Sequence, residues 1–229
     1  MSVRFCLLVV AKAPVPGFAK TRLCPPATAV QAAEIAATAL LDTLAAVLAT
    51  RDAVPVVAMT GELGEAARGT EIAEVLGQVT VLAQRGDDFG ARLANAHADT
   101  AAAYPALPVL QIGMDTPQVT PDLLTSAVNP VLRGDSGATL GAAEDGGWWA
   151  LGLRDPLDAR VLAEVPMSRP DTGARTRRAL TASGLSVTGV ATLSDVDTIA
   201  DARRVAARCV NGRFARAVAE VAGLPALVR

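Results

Sequence analysis

Short, unbroken apolar runs alternate along this chain with longer stretches in which apolar residues recur at helical spacing. The runs at 4–11, 54–59, 79–82, 108–113, 138–142, 148–153 and 185–191 read as strands. The stretches 28–50, 61–75, 90–104, 121–132, 172–183, 199–207 and 214–222 read as helices. Continuous apolar character from Cys6 to Ala11 and from Val109 to Ile112 predicts strands buried on both faces, as in a parallel sheet. Strand and helix alternate as far as Leu132, which implies βαβ crossovers. Beyond Gly134 the strands crowd together, which predicts an antiparallel or mixed edge. The expected fold is α/β, one domain over residues 1–229 with a mostly parallel, mixed-edge central sheet flanked by helices. A C-terminal helical extension is expected over 208–229.

In open α/β sheets ligands bind beyond the carboxyl ends of the strands, and the polar clusters fall there. Residues 12–22 follow the first strand, Asp115 follows a central one, and Asp195 and Asp197 follow the last. Two residues apart on an extended segment, Asp195 and Asp197 share a face, roughly 7 Å apart. At an effective dielectric near 20 their charges repel by about 2 kcal/mol, a cost that a bound cation relieves. With Asp115 they supply three oxygen ligands from two strand ends, a set suited to Mg2+ or Mn2+. The competing reading is a helix cap, with Asp197 or Thr198 at the N-terminus and Asp201 completing a capping box. That accounts for one acid of the three.

Loop 12–22 reads KAPVPGFAKTR. A strand, a glycine-bearing loop and a helix suit phosphate binding, and Lys12, Lys20 and Arg22 supply three cations opposite the acids. It is not a Walker A loop, because Ala19 precedes Lys20-Thr21 where glycine is needed, and Pro14 and Pro16 lack the N–H groups such a loop uses. Gly141 to Trp149 offers Glu144 and Asp145 beside Gly146 and Gly147. Paired glycines allow close backbone approach, and an acid beside them could take a hydroxyl proton. The same residues also read as a hairpin turn, with one Trp in the core and one at the rim. His97, the single histidine, lies in a predicted helix with no adjacent nucleophile and reads as structural.

Composition narrows the partners. A net charge of -2 and the absence of a basic run argue against nucleic acid. Cys6, Cys24 and Cys209 form neither a disulfide framework nor a zinc site. Apolar residues make up 51% of the chain, yet the most apolar stretch, 32–49, is interrupted by Glu34 and Asp42 and reads as a core helix, so no membrane span is expected and the cytoplasm is the default location. The alanine-rich helix at 214–222 is the segment that would serve a homodimer interface.

Five blocks carry a resemblance: KAPVPGFAKTRL (12–23), QRGDDFGARL (84–93), IGMDTPQ (112–118), AEDGGWWALGL (143–153) and DVDT (195–198). Together they resemble the rSAM/selenodomain-associated transferase family, which is glycosyltransferase-like and belongs to the nucleotide-diphospho-sugar transferase superfamily with the Rossmann-like GT-A fold. The early KTRL and late DVDT also resemble the phospholactate and phosphoenolpyruvate guanylyltransferases. The resemblance implies a metal held by Asp115, Asp195 and Asp197. It implies nucleotide binding by Lys12, Pro14, Gly17, Lys20, Arg22, Gln84, Gly86 and Arg92. Lys20, Arg22, Glu144 and Asp145 would carry catalysis, and Gly146, Gly147, Trp148 and Ser168 the acceptor. One departure is Met167-Ser168 after Pro166, where the family pattern has Trp-Ser. The implied activity is metal-dependent transfer from a nucleotide-activated donor to a small acceptor. Glycosyl transfer is the first reading and nucleotidyl transfer with release of pyrophosphate the second. An inactive nucleotide-binding module is the third.

Overall fold

A computed structural model describes residues 4–209 and 211–221. Its centre is β1 (Phe5–Lys12), whose residues alternate between two cores. Phe5, Leu7, Val9 and Ala11 pack on one side of the sheet, and Cys6, Leu8 and Val10 on the other. Burial on both faces follows from the period of two along a strand whose neighbours are both parallel. Those neighbours are β2 (Ala53–Thr60) and β4 (Val109–Gly113). With β3 (Thr80–Ala83), β5 (Ala138–Ala143), β6 (Trp148–Leu153) and β7 (Val187–Leu193) they form a seven-stranded sheet ordered β3-β2-β1-β4-β6-β5-β7. The α/β class and mostly parallel mixed sheet are as expected, with a difference of position. The antiparallel strand is β6, hydrogen-bonded to both β4 and β5, so the mixture lies inside the sheet and the edges are β3 and β7.

Helix α1 (Ala29–Ala49) starts at Thr28, whose side chain accepts from the Gln31 amide while Gln31 returns a bond to the Thr28 amide. By length and composition α1 could cross a membrane, but it is the core helix expected. Leu40, Leu41, Leu44 and Val47 face the sheet, and Ala32, Ile35 and Ala39 face α6 (Ile199–Ala206) and α7 (Arg213–Ala219). Helices α2 (Gly69–Leu76) and α4 (Pro121–Arg133) share the α1 side of the sheet. Helices α3 (Phe89–Ala103) and α5 (Thr172–Ala182) cover the other.

Three elements depart from expectation. The predicted helix 61–75 divides into a 3-10 turn, Leu63–Glu65, and α2, because Arg68 adopts a left-handed φ of 53°. A 3-10 helix at Pro156–Glu164, started by Asp155 accepting from Leu157, packs against α3 and was not predicted. The last strand runs two residues later than 185–191. Residues 222–229, within the expected extension, and Ala222 of the expected helix 214–222 lie outside the described residues. The surface helix expected there as a dimer face packs inward: Phe214, Ala215, Ala217 and Val218 of α7 are buried against α1 and α6.

Candidate functional site

Every strand except β6 runs the same way, so the carboxyl ends of β1, β4 and β7 and the β5–β6 hairpin turn share one end of the sheet. Asp115 lies two residues beyond β4, and Asp195 and Asp197 two and four beyond β7. One carboxylate oxygen from each lies within 4.8 Å of the other two. Between the two later acids Val196 is buried against α1 and α6, which turns both neighbours the opposite way. Helix α6 is capped by Thr198, which accepts from the Asp201 amide while Asp201 accepts from the Thr198 amide. The capping box therefore exists and uses neither Asp195 nor Asp197. Gly113 permits the Asp115 turn, since a Cβ there would meet Asp115 Oδ1 at 2.8 Å.

The cluster has its own cation. Lys20 Nζ donates to Asp115 Oδ2 at 2.6 Å and to Asp197 Oδ1 at 3.1 Å, and Arg22 Nη1 reaches Asp197 Oδ2 at 3.4 Å from solvent. Burial works to lower the Lys20 ammonium, but Asp115 and then Asp197 outweigh it and hold its pKa above the ordinary range. Asp195 is pushed the other way, up to about 6, first by burial and then by the charges of Asp115, Asp145 and Asp197, with Lys20 opposing. Three carboxylates against one internal ammonium leave a negative residue, and the oxygen-only donor set fits a magnesium- or manganese-like ion.

A cavity of about 490 Å3 opens beside the cluster, lined by Lys12, Lys20, Arg22, Asp115, Ser168 and Asp197 among the predicted residues. Phe18, 72% exposed, stands on its wall. Other predicted residues hold the scaffold. Pro14 accepts from the Ala67 amide, and Gly17 takes a φ of 80° in the loop, with open space where a side chain would project. Gln84 Nε2 donates to Ala11 O and Ala58 O, tying the ends of β1 and β2. Gly86 packs on the first turn of α3 against Ala91 and Arg92. Arg92 Nε is buried without a partner among the described residues.

The 144–147 segment is the hairpin turn between β5 and β6. Asp145 Oδ1 accepts from the Gly147 amide at 2.8 Å, and Gly146, at φ 90°, is overlaid by the Pro170 carbonyl, where a Cβ would collide. Trp149 is in the core and donates to Ala191 O at 2.7 Å; Trp148 is half-buried and donates to Thr176 on α5. Met167, where the pattern has Trp, packs into the core on the α5 side. His97 is fully buried and bonds Gln111, with burial lowering its pKa to about 4, so it is structural as read.

Sequence reasoning missed the support behind the Asp195 loop. Ser194 Oγ donates to Glu144 Oε2 at 2.6 Å, Arg204 Nη2 donates to Ser194 Oγ at 2.8 Å and stands 3.2 Å from Glu144, and Gln118 holds the Ser194 carbonyl. Glu144 is thus engaged in fixing the loop that carries Asp195. Only the i, i+3 pairing of Asp201 with Arg204 on α6 hinted at this in the sequence.

A family model described as "Uncharacterized protein conserved in bacteria (DUF2064)" matches residues 43–169. No curated protein matches the chain. Among solved structures, one from Desulfovibrio desulfuricans G20, provisionally designated a nucleotide-diphospho-sugar transferase, is 27% identical with a TM-score of 0.79, covering 94% of this chain and 91% of its own. A cytidylyltransferase from Leptospira borgpetersenii serovar Hardjo-bovis matches in fold at 12% identity and a TM-score of 0.59, over 94% and 92%. Rv0371c of Mycobacterium tuberculosis H37Rv, solved in complex with manganese, matches in fold at 21% identity and a TM-score of 0.50, over 88% and 97%.

Proposed function

This chain belongs to the DUF2064 family, whose description names no activity, and from that premise we propose that it is a metal-dependent transferase acting on a nucleotide-activated donor. The observation that carries the reading is the convergence of Asp115, Asp195 and Asp197 beside a cavity whose other polar wall is Lys12, Lys20 and Arg22. Asp115, Asp195 and Asp197 would hold Mg2+ or Mn2+, which when bound neutralises phosphate oxygens and favours a phosphate leaving group. Lys12 and Arg22 face the cavity and neutralise the remaining donor charge, orienting the phosphates before reaction. Ser168 and the 144–147 turn bound the acceptor side.

Glycosyl transfer is the first reading, supported by the 27% identical protein from D. desulfuricans. An acceptor hydroxyl needs a base, and Asp145 is the better choice of the two turn acids. Glu144 is engaged by Ser194 and Arg204, whereas among the described residues Asp145 commits only one oxygen. Nucleotidyl transfer is the second reading. It depends on neither turn acid, because a phosphorylated acceptor arrives already ionised and needs no base. The cytidylyltransferase fold of the Leptospira protein is compatible with it.

The test is a thermal-shift panel with Mn2+ and, in turn, UDP- and GDP-sugars, GTP and CTP. A ligand at a hundred times its dissociation constant adds about 2.7 kcal/mol of stability. The greatest metal-dependent shift with a sugar nucleotide, lost in Asp115→Ala, supports glycosyl transfer. The greatest shift with GTP or CTP supports nucleotidyl transfer. No shift with any of them refutes the nucleotide reading.

A further inference from the structure

The Lys20 ammonium lies between two of the acids read as metal ligands, at 2.6 Å from Asp115 and 3.1 Å from Asp197, with its side chain only 14% exposed. A divalent ion held by those carboxylates would need their oxygens at about 2.0–2.2 Å. Ammonium and ion therefore compete for the same two carboxylates. Arg22 is placed differently: it meets Asp197 from solvent with 72% of its side chain exposed and leaves that space open. Lys20 is delivered by a backbone in the left-handed region, φ 48°, at the end of a loop without regular structure between β1 and the 3-10 turn Thr21–Leu23. Lys20 also lines the cavity, so open space adjoins the ammonium on that side. Leaving Asp115 and Asp197 with no replacement anion would strand a largely buried charge. A phosphate bound in the cavity that Lys12 and Arg22 also line would supply that anion.

We propose that Lys20 is the counter-ion of the metal-free site, and that a divalent ion enters together with a phosphate-bearing ligand, which takes the ammonium from Asp115 and Asp197. The inference rests on the metal reading above and specifies the form of the substrate as a metal–phosphate complex. Metal and phosphate then strengthen each other's binding reciprocally, and Lys20 is the positioning residue through which they do so.

The experiment is a Mn2+ titration of the full chain followed by electron paramagnetic resonance, without donor or turnover, with and without inorganic phosphate, which chelates Mn2+ only weakly. Native protein should bind Mn2+ at least tenfold more weakly than Lys20→Met, and phosphate should tighten Mn2+ for the native protein but not for the variant. Lys12→Met removes a cation from the same cavity without touching the acids, and should change Mn2+ affinity less than threefold. Equal or weaker Mn2+ binding by Lys20→Met overturns the exchange while leaving the metal reading intact, and so does an equal gain in Lys12→Met. Mn2+ binding by no protein, or binding indifferent to Asp195→Asn, overturns both. Circular dichroism checks that each variant is folded. Should Lys20→Met fail to fold, Lys20→Gln takes its place, and absence of the phosphate effect in native protein overturns the exchange by itself.

Discussion

Replacing Asp195 with Asn should stabilise the metal-free protein while weakening its hold on metal, and the size of the effect follows from the site. Burial and the charges of Asp115, Asp145 and Asp197 push Asp195 from 3.8 to about 6. A raised folded-state value means that ionisation opposes folding. The protein is unaffected below about pH 4, loses stability as pH rises through about 6, and stays at the lower level above it. The displacement corresponds to about 3 kcal/mol at 1.36 kcal/mol per pH unit. Asp195 is partly exposed, and solvent screening reduces this to about 1–2 kcal/mol. Among the described residues its carboxylate makes no hydrogen bond that Asn would forfeit. In a chain of 229 residues the gain is a rise of about 2–8 °C in Tm at pH 7.5 in EDTA, vanishing near pH 4. The assay is paired thermal denaturation of native and variant protein at both pH values, with EDTA or saturating Mn2+. Mn2+ should reverse the order by stabilising the native protein far more. A variant less stable than native in EDTA at pH 7.5, or a gain that persists unchanged at pH 4, would refute the account of Asp195 as a repelled, partly buried charge.

Proton and metal compete for Asp195, so isothermal titration should find Mn2+ affinity falling about tenfold per pH unit below about 6 and level above it. Arg204→Met removes the support of Ser194 and Glu144, and should weaken Mn2+ binding ten- to a hundredfold with little change in the far-ultraviolet spectrum. Gly146→Ala forces a methyl group onto the Pro170 carbonyl at a positive φ, and denaturant titration should show a loss of more than about 2 kcal/mol.

Much of this site could be read along the chain because strand periodicity is local. Unbroken apolar runs at Cys6–Ala11 and Val109–Ile112 identified central strands, and their ends placed Lys12 and Asp115 together. Asp195 and Asp197 converge because Val196 between them seeks the core, a preference visible in three residues. Lys20 was harder. Its charge was legible, but its place among the acids depends on a left-handed turn and on partners 95 and 177 residues away. Glu144 looked like a free acid in a turn, since nothing near it in sequence announces Arg204 or Ser194. The 3-10 helix 156–164 and the internal position of β6 were missed for the same reason: packing against α3 and pairing with β4 decide them. The helix expected at 61–75 failed at Arg68, where a residue with ordinary helical preference is held in a conformation that helices exclude.

The sheet order also sets which part of the chain completes the acid cluster. Asp115 is in place once β4 pairs with β1, but its two companions arrive only after β7, the final strand, has joined β5. Val196 must then settle against α1 and α6, which α7 covers. A chain that ends at β6 holds Lys20 and only one of the three clustered acids, Asp115. On the metal reading proposed above, ion capture would wait for β7, and a polypeptide truncated before it would lack the three-acid set.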